Sequence, residues 1–352
     1  MKKRIFIFKN DEIGDFCLWL PFARKLRPLY PEHEIIIGVK KELKHFAENF
    51  DCFDRITTVR CKYGFFGLFY CIFANLHLFF KKYDAVIGAV PGLMFTNILI
   101  PAFFMRAKRK YVFYRQEALK GIPCSYSLRT RLMGKSVIPL SECSIYDFNK
   151  AILKRISGKD FSDIMLKEDF PDIPPRGNGK FIVMAVGSSA VYKTWPAANF
   201  KFIAQKIFEK YPDMKILLAG NRQEYGHAET IAEMDRQHIL NLCGKTSLNE
   251  IIGYQKNTVF SLCNDTGLAH ISALMGKQTF IIGGCGHFGV FIPWPEKYRH
   301  VTTFFSDCEN RGCNWVCSFS EQKDVTYPCV KAVSPKHVWA AIERFLEKEN
   351  SK

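Results

Sequence analysis

Acidic residues are the scarce charge in this 352-residue chain: 34 Asp and Glu stand against 50 Lys and Arg, a formal net charge of +16. The deficit lies in residues 1–150, where 13 acids face 25 bases; beyond them 21 acids face 25 bases. A basic N-terminal half can serve nucleic acid, an anionic membrane or a phosphorylated acceptor. Zinc-finger, RNA-recognition and helix-turn-helix signatures are all missing, so nucleic acid ranks last of the three and is not expected as a partner. No Walker A spacing is present, which excludes a P-loop ATPase. No secretory h-region is present either, because Met1-Lys2-Lys3-Arg4 leads into only Ile5–Phe8 before Lys9, Asp11 and Glu12. The expectation is a cytoplasmic protein whose 13 cysteines stay reduced.

Uninterrupted apolar runs are also lacking. Tyr63–Phe80 and Ala85–Met105 carry no acidic residue, Lys or Arg, yet Gly64, Gly67, Asn75 and His77 break the first and Pro91, Gly92, Asn97 and Pro101 the second. These stretches read as a buried strand at Ala85–Val90 and aromatic helices, some lying on a membrane surface beside Lys81-Lys82 and Arg106–Lys110. Residues 106–136 mix Arg, Lys, Tyr and Ser with little periodicity and read as loop and short helix, with Arg129 and Arg131 as candidate acceptor contacts or solvated surface charge.

What is present is alternation. Strand patterns at 4–8, 34–39 and 55–59 and helical patterns at 16–29 and 41–50 give the βαβ order of a doubly wound parallel sheet. A Pro- and Gly-punctuated linker, Pro171–Gly179, precedes a second round: strands at 181–185, 215–219, 258–262 and 278–282, with helices at 196–211, 224–234 and 248–255. The expected class is α/β, with a first domain at 1–172, a second at 173–334 and a closing amphipathic helix within 335–352 that can pack back on the first domain. Two such domains create an interdomain cleft.

Three strand-to-helix turns carry the candidate chemistry. Asn264-Asp265-Thr266-Gly267 opens a helix whose free N–H groups and positive dipole end suit a phosphate. Thr266 can cap that helix through its hydroxyl, Gly267 allows close approach, and His270 shares a face with Thr266. The plain alternative is a structural cap followed by an interior histidine. Gly187-Ser188-Ser189 through Lys193-Thr194-Trp195-Pro196 combines hydroxyls, a glycine and a mobile cation, which suits a diphosphate; Lys193 alone also fits an ordinary surface lysine. Asp15, at the turn after the first strand, is either a helix N-cap or a general base. No Asp-x-Asp pair is available to fix a metal on a diphosphate, whereas a helix N-terminus and a lysine need none.

In that order, Gly14-Asp15 with Leu20-Pro21, Ser188-Ser189 to Lys193-Thr194-Trp195-Pro196, Asn241–Leu248, and Asn264–Gly267 with His270 resemble the family 9 glycosyltransferases, typified by ADP-heptose:lipopolysaccharide heptosyltransferases. The resemblance runs from about residue 3 to 283 and is weakest between 60 and 170. It implies a GT-B fold of two Rossmann-like domains, with the acceptor on the first and the nucleotide sugar, ADP-heptose, on the second. It implies Asp15 as the general base of an inverting, metal-independent transfer to a glycolipid at the cytoplasmic face of the inner membrane. Ser188, Ser189, Lys193, Thr266 and Gly267 match diphosphate contacts, Asp265 and His270 lie beside them, and Glu224 matches an acidic residue that reaches the nucleoside.

Two segments depart from the family pattern. Gly283–Pro293 replaces a short Gly-Pro turn and either wraps the donor, with His287 near the phosphates, or forms a flexible lid. Cys308, Cys313, Cys317 and Cys329 then fall close together, and reduced thiols so grouped suit a structural Zn or Fe site, or stand as disulfides or unlinked thiols. The grouping resembles the four-cysteine iron module of family members that glycosylate autotransporter proteins, so a protein acceptor is the enzyme alternative. A non-catalytic nucleotide-sugar-binding subunit is the non-enzyme one.

Overall fold

The computed structural model describes residues 3–60, 67–91, 98, 100–115, 136–141, 144–320 and 322–351. It divides into two compact units, Met1–Leu166 and Lys167–Lys352. The division falls shortly before the Pro171–Gly179 segment, which is fastened within the second unit: Lys256 Nζ donates to the carbonyls of Phe170 and Ile173, and Arg176 N–H donates to Gly253 O.

The first unit holds a six-stranded parallel sheet in the order β3-β2-β1-β4-β5-β6, built from β1 (Lys3–Phe8), β2 (His33–Val39), β3 (Arg55–Thr58), β4 (Lys82–Gly88), β5 (Arg106–Arg115) and β6 (Val137–Leu140). β1 is central, with Ile5 registered between Ile35 and Ala85. Its apolar run has no polar alternation because both faces are covered, as parallel strands require. Phe6 and Phe8 pack with Leu78, Ala102 and Met105 on one face. On the Ile13–Ala23 helix, Leu18 O accepts the buried Asn149 amide of the Ile145–Ser157 helix. Ser144 caps that second helix by accepting from Asp147 N–H.

β5 corrects the reading of 106–136 as loop and short helix. Among the described residues its first half, Arg106–Lys110, pairs with β4 alone, since β6 begins opposite Val112. The exposed open edge tolerates Arg and Lys, and those charges hide the strand pattern that Tyr111–Tyr114 would otherwise show. The expected helix at 41–50 is likewise shorter, a 3-10 turn at Lys41–Leu43 followed by Lys44–Ala47. Among the described residues no helix is long and apolar enough to cross a membrane.

The second unit repeats the plan, in the order β12-β11-β10-β7-β8-β9: β7 (Phe181–Ala185), β8 (Lys215–Ala219), β9 (Ile239–Asn241), β10 (Ser261–Asn264), β11 (Thr279–Ile282) and β12 (Val301–Phe304). In each sheet the chain reverses direction beside its first strand, between β1 and β4 and between β7 and β10, and the crevice at that reversal is where open α/β sheets place ligands. The closing helix, Pro335–Asn350, buries its apolar face inside the second unit. Val338, Ile342 and Leu346 join the core of Phe260 and Phe280, and Glu343 pairs with Lys210 at 2.5 Å.

Ile342→Ala should therefore destabilise the second unit by about 2–5 kcal/mol in urea unfolding. A loss under about 0.5 kcal/mol, typical of an exposed site, would show that this helix is not part of the core.

Candidate active site

In the first unit, the chain leaving β1 turns through Lys9, Asn10 and Asp11 into the Ile13–Ala23 helix. The Lys9 side chain is fully buried and its ammonium donates to Asp11 at 2.5 Å and to Ala89 O, on the loop after β4, at 3.1 Å. This buried pair ties together the two strand ends that flank the reversal. Glu12 holds the N-cap position, so Asp15 is not the cap; it sits in the helix's first turn, half-buried. Burial, and next the negative charge of Asp11, push the Asp15 carboxyl up to about 7 against the opposing pull of Lys9. A carboxylate titrating there is a competent base at neutral pH, which an ordinary aspartate is not.

In the second unit, Asn264 at the end of β10 is completely buried. Its Oδ1 accepts from Trp195 N–H at 2.9 Å, and its Nδ2 donates to the carbonyls of Val186 (2.8 Å) and Gly187 (3.1 Å). One amide thus fastens both ends of the loop that carries Ser188, Ser189 and Lys193. The next residue, Asp265, is only 5% exposed at its side chain and lies between His270 Nε2 (3.5 Å) and His287 Nδ1 (3.3 Å). Burial alone would raise this carboxyl, but hydrogen bonding to the two imidazoles, reinforced by their charge whenever they are protonated, outweighs it and holds the carboxyl well below the usual carboxylate range. Trp294 Nε1–H donates to His270 Nδ1 at 3.1 Å and its indole stacks on the ring. His270 therefore carries its proton on Nε2, facing Asp265.

The helix Gly267–Leu274 starts directly after this carboxylate. Thr266 occupies its N-cap position, yet the expected hydroxyl cap does not form: the Thr266 Oγ1 is buried and unpartnered. Both this hydroxyl and the first-turn N–H donors are thereby left for an anion. Across from it, Lys193 Nζ lies 4.8 Å from the Trp315 ring, and Trp315 meets His287 edge-on at 5.4 Å. Ser188 Oγ is used inside its own loop, donating to Ala190 O at 2.6 Å, while Ser189 is exposed. Glu224 closes a capping box with Asn221 and folds back over Gly187 and Gly220, where a Cβ would come within 2.3 and 2.2 Å of its side chain. The glycines at the ends of β7 and β8 are therefore the space that this carboxylate occupies. A cation, hydroxyls, helix N–H groups and two carboxylates at adjoining strand ends suit a nucleoside diphosphate bearing a hydroxyl-rich group.

Residues 144–314 match the family described as Glycosyltransferase family 9 (heptosyltransferase). Over that segment, just under half of its length, the chain is similar to the family 9 heptosyltransferases. It is 30% identical over 110 residues to lipopolysaccharide heptosyltransferase 1 of Campylobacter coli, a match spanning 30% of this chain and 32% of that one, so about a third of the curated relative is covered. Its fold is that of a family 9 glycosyltransferase from Veillonella parvula, at a TM-score of 0.71 and 17% identity over 99% of both chains. The E. coli heptosyltransferase WaaC, solved with ADP-2-deoxy-2-fluoro heptose, superposes at 0.69 with 14% identity over 98% of this chain and 99% of that one.

Ser188, Lys193, Glu224, Asp265, Thr266, Gly267 and His270 gather at adjoining strand ends of one unit, with Ser189 on the same loop; Asp15 belongs to the other unit. Arg129 and Arg131 lie outside the described residues. Residues given no role from sequence complete the site: Asn264, Trp294 and Trp315, joined by His287. The Gly-rich segment after β11 is fastened to the segment at 312–315. Gly312 N–H and Asn314 N–H donate to Cys285 O and Gly286 O, and Trp315, in left-handed backbone like Asn314, covers Gly284 and Gly286, where a Cβ would lie 2.3 Å from the indole.

Cys308, Cys313, Cys317 and Cys329 line one cavity of about 340 Å³, together with Cys285, whose proximity the sequence spacing could not show. All the described cysteines are free thiols, so the disulfide alternative is not realised among them. The thiols have the chemistry of a soft-metal donor set. Among the described residues, however, no three His, Cys, Asp or Glu side chains are gathered as a bound metal requires.

Trp294→Phe keeps the ring but removes the N–H that fixes His270. Nitrogen-15 NMR should then show the His270 tautomers mixing; an unchanged Nε2–H tautomer would mean that Trp294 does not set it.

Proposed function

We propose that this chain is an inverting, metal-independent glycosyltransferase that moves a heptose or similar sugar from ADP-heptose to a hydroxyl of a lipopolysaccharide or lipooligosaccharide core, or another surface glycan. The observation that carries the reading is the Asp265 carboxylate held between two histidines at the mouth of a helix N-terminus, with Lys193 supplied by the neighbouring strand-end loop. Departure of ADP leaves negative charge on the diphosphate; the helix N–H groups, the Thr266 hydroxyl and Lys193 neutralise it without a metal ion. The ionised Asp265 orients sugar hydroxyls and opposes the positive charge that develops on the sugar ring. Glu224, at the ends of β7 and β8, accepts from the nucleoside. Asp15 removes the acceptor proton as the hydroxyl attacks the anomeric carbon from the face opposite the leaving group, which inverts its configuration. The acceptor is a membrane-held glycolipid, met by the basic first unit, Arg129 and Arg131 included, from the cytoplasmic side.

The four thiols Cys308, Cys313, Cys317 and Cys329 line one cavity and have the donor chemistry of a structural Zn or Fe site, but they would have to draw closer together to hold the ion, which is the role proposed for them. Protein purified without oxygen should contain about one equivalent of metal per chain by elemental analysis; none would remove the assignment and leave the transfer chemistry intact.

Asp15→Asn should lower kcat about 10²–10⁴-fold while ADP affinity is retained. The base works only when ionised, so kcat/KM should fall tenfold per pH unit below about 7 and level off above it. Lys193→Ala should instead weaken ADP binding about 10–100-fold in calorimetry. Near-normal turnover in Asp15→Asn, or unaltered ADP binding in Lys193→Ala, would contradict these roles.

A further inference from the structure

The first unit carries a surface that the transfer chemistry does not use. The short helices Gly67–Ala74, Leu76–Phe79 and Ile100–Phe104 pack on one another and bury Cys71, Leu78 and Ala102. Their other sides leave Phe69, Tyr70, Phe73, Phe103 and Phe104 exposed, with Phe80 just beyond the second helix; Phe73 is 67% and Phe80 80% exposed. Of eight exposed large apolar side chains described between residues 3 and 166, seven lie between Phe69 and Phe104. Ring contacts run across the helices, from Phe79 to Phe104 at 5.6 Å and on to Phe103 at 5.3 Å. Scattered exposed rings need no explanation, but a contiguous aromatic face marks a surface that is covered in use.

The charge beside it names the cover. Arg55, Arg60, His77 and Lys81 stand close enough to repel one another; burial first, and then this repulsion, hold His77 and Lys81 below their ordinary values. The nearby acid, Glu34, is engaged by Arg4 at 2.8 Å. On the opposite flank Lys110 lies 5.9 Å from the Phe103 ring. Rings that settle at the headgroup boundary, flanked by cations without matching acids, fit an anionic lipid surface better than a protein face, which would have to supply buried carboxylates.

We propose that these three helices dock the first unit on an anionic phospholipid bilayer, the rings entering the headgroup–acyl boundary while Arg55, Arg60 and Lys81 pair with lipid phosphates. This deepens the reading of a membrane-held acceptor and takes its purpose from it, while the surface itself is testable without acceptor.

The test is co-sedimentation of the full chain with vesicles of phosphatidylcholine alone or mixed with phosphatidylglycerol. Binding is expected to the mixed vesicles, weakened by salt. F73S/F80S/F103S should lose at least about tenfold in partition, and R60E/K81E should lose a similar factor on mixed vesicles, at about fivefold per basic residue. Leu240→Ser, exposed on β9 of the second unit, should bind like the unaltered protein. Unchanged thermal melting shows that the variants fold. Equal binding to neutral and mixed vesicles, no binding at all, or patch variants that bind normally would overturn the proposal. So would concentration-dependent self-association, without vesicle binding, that the triple variant abolishes. Vesicle binding as expected in a protein that fails to bind ADP would sink the transfer reading and leave this surface standing.

Discussion

The buried Asn264 amide is the constraint on which the candidate site of the second unit depends. Three backbone groups from the two ends of one loop converge on one side chain at the end of β10, and all are out of contact with water. Removing the amide would strand these groups unpaired, at a cost of about 1–3 kcal/mol each. Their position, in turn, decides where Lys193 lies relative to the start of the Gly267–Leu274 helix. A polar residue that reads as part of a phosphate turn is thus chiefly the clasp that makes the turn rigid.

The protein sets two aspartates, one in each unit, to opposite ionisation behaviour by environment. Asp265 is buried but accepts from two imidazoles, and stays ionised. Asp15 is shielded with another carboxylate nearby, and gains basicity up to about 7. One carboxylate is kept as a permanent charge and the other as a proton acceptor, a division of labour that follows from hydrogen-bond donors on one side and their scarcity on the other. Trp294 extends the first arrangement outward, since its N–H decides which nitrogen of His270 faces Asp265.

Much of the fold was legible because parallel α/β units repeat a simple pattern: the continuous apolar run of β1 and the strand-turn-helix around Asp265 show in the chain itself. β5 was hidden by the basic residues of its open half, and β9 and β12 are too short to carry a period. The candidate site was legible where its parts are local, as in Asp265-Thr266-Gly267 and His270. It was illegible where partners come from far along the chain: Trp294 on His270, Trp315 beneath Lys193, and Cys285 beside Cys308 and Cys329 depend on the sheet bringing strand ends together. The glycines at 284 and 286 looked like flexibility and are instead room for an indole.

The most direct measurement of the central claim is proton NMR of the product formed from ADP-heptose and an acceptor core glycan. Release of ADP is expected, with one new glycosidic bond whose anomeric configuration is opposite to that of the donor. Retained configuration, or an ADP-heptose that neither binds nor is cleaved in the presence of acceptor, would contradict it.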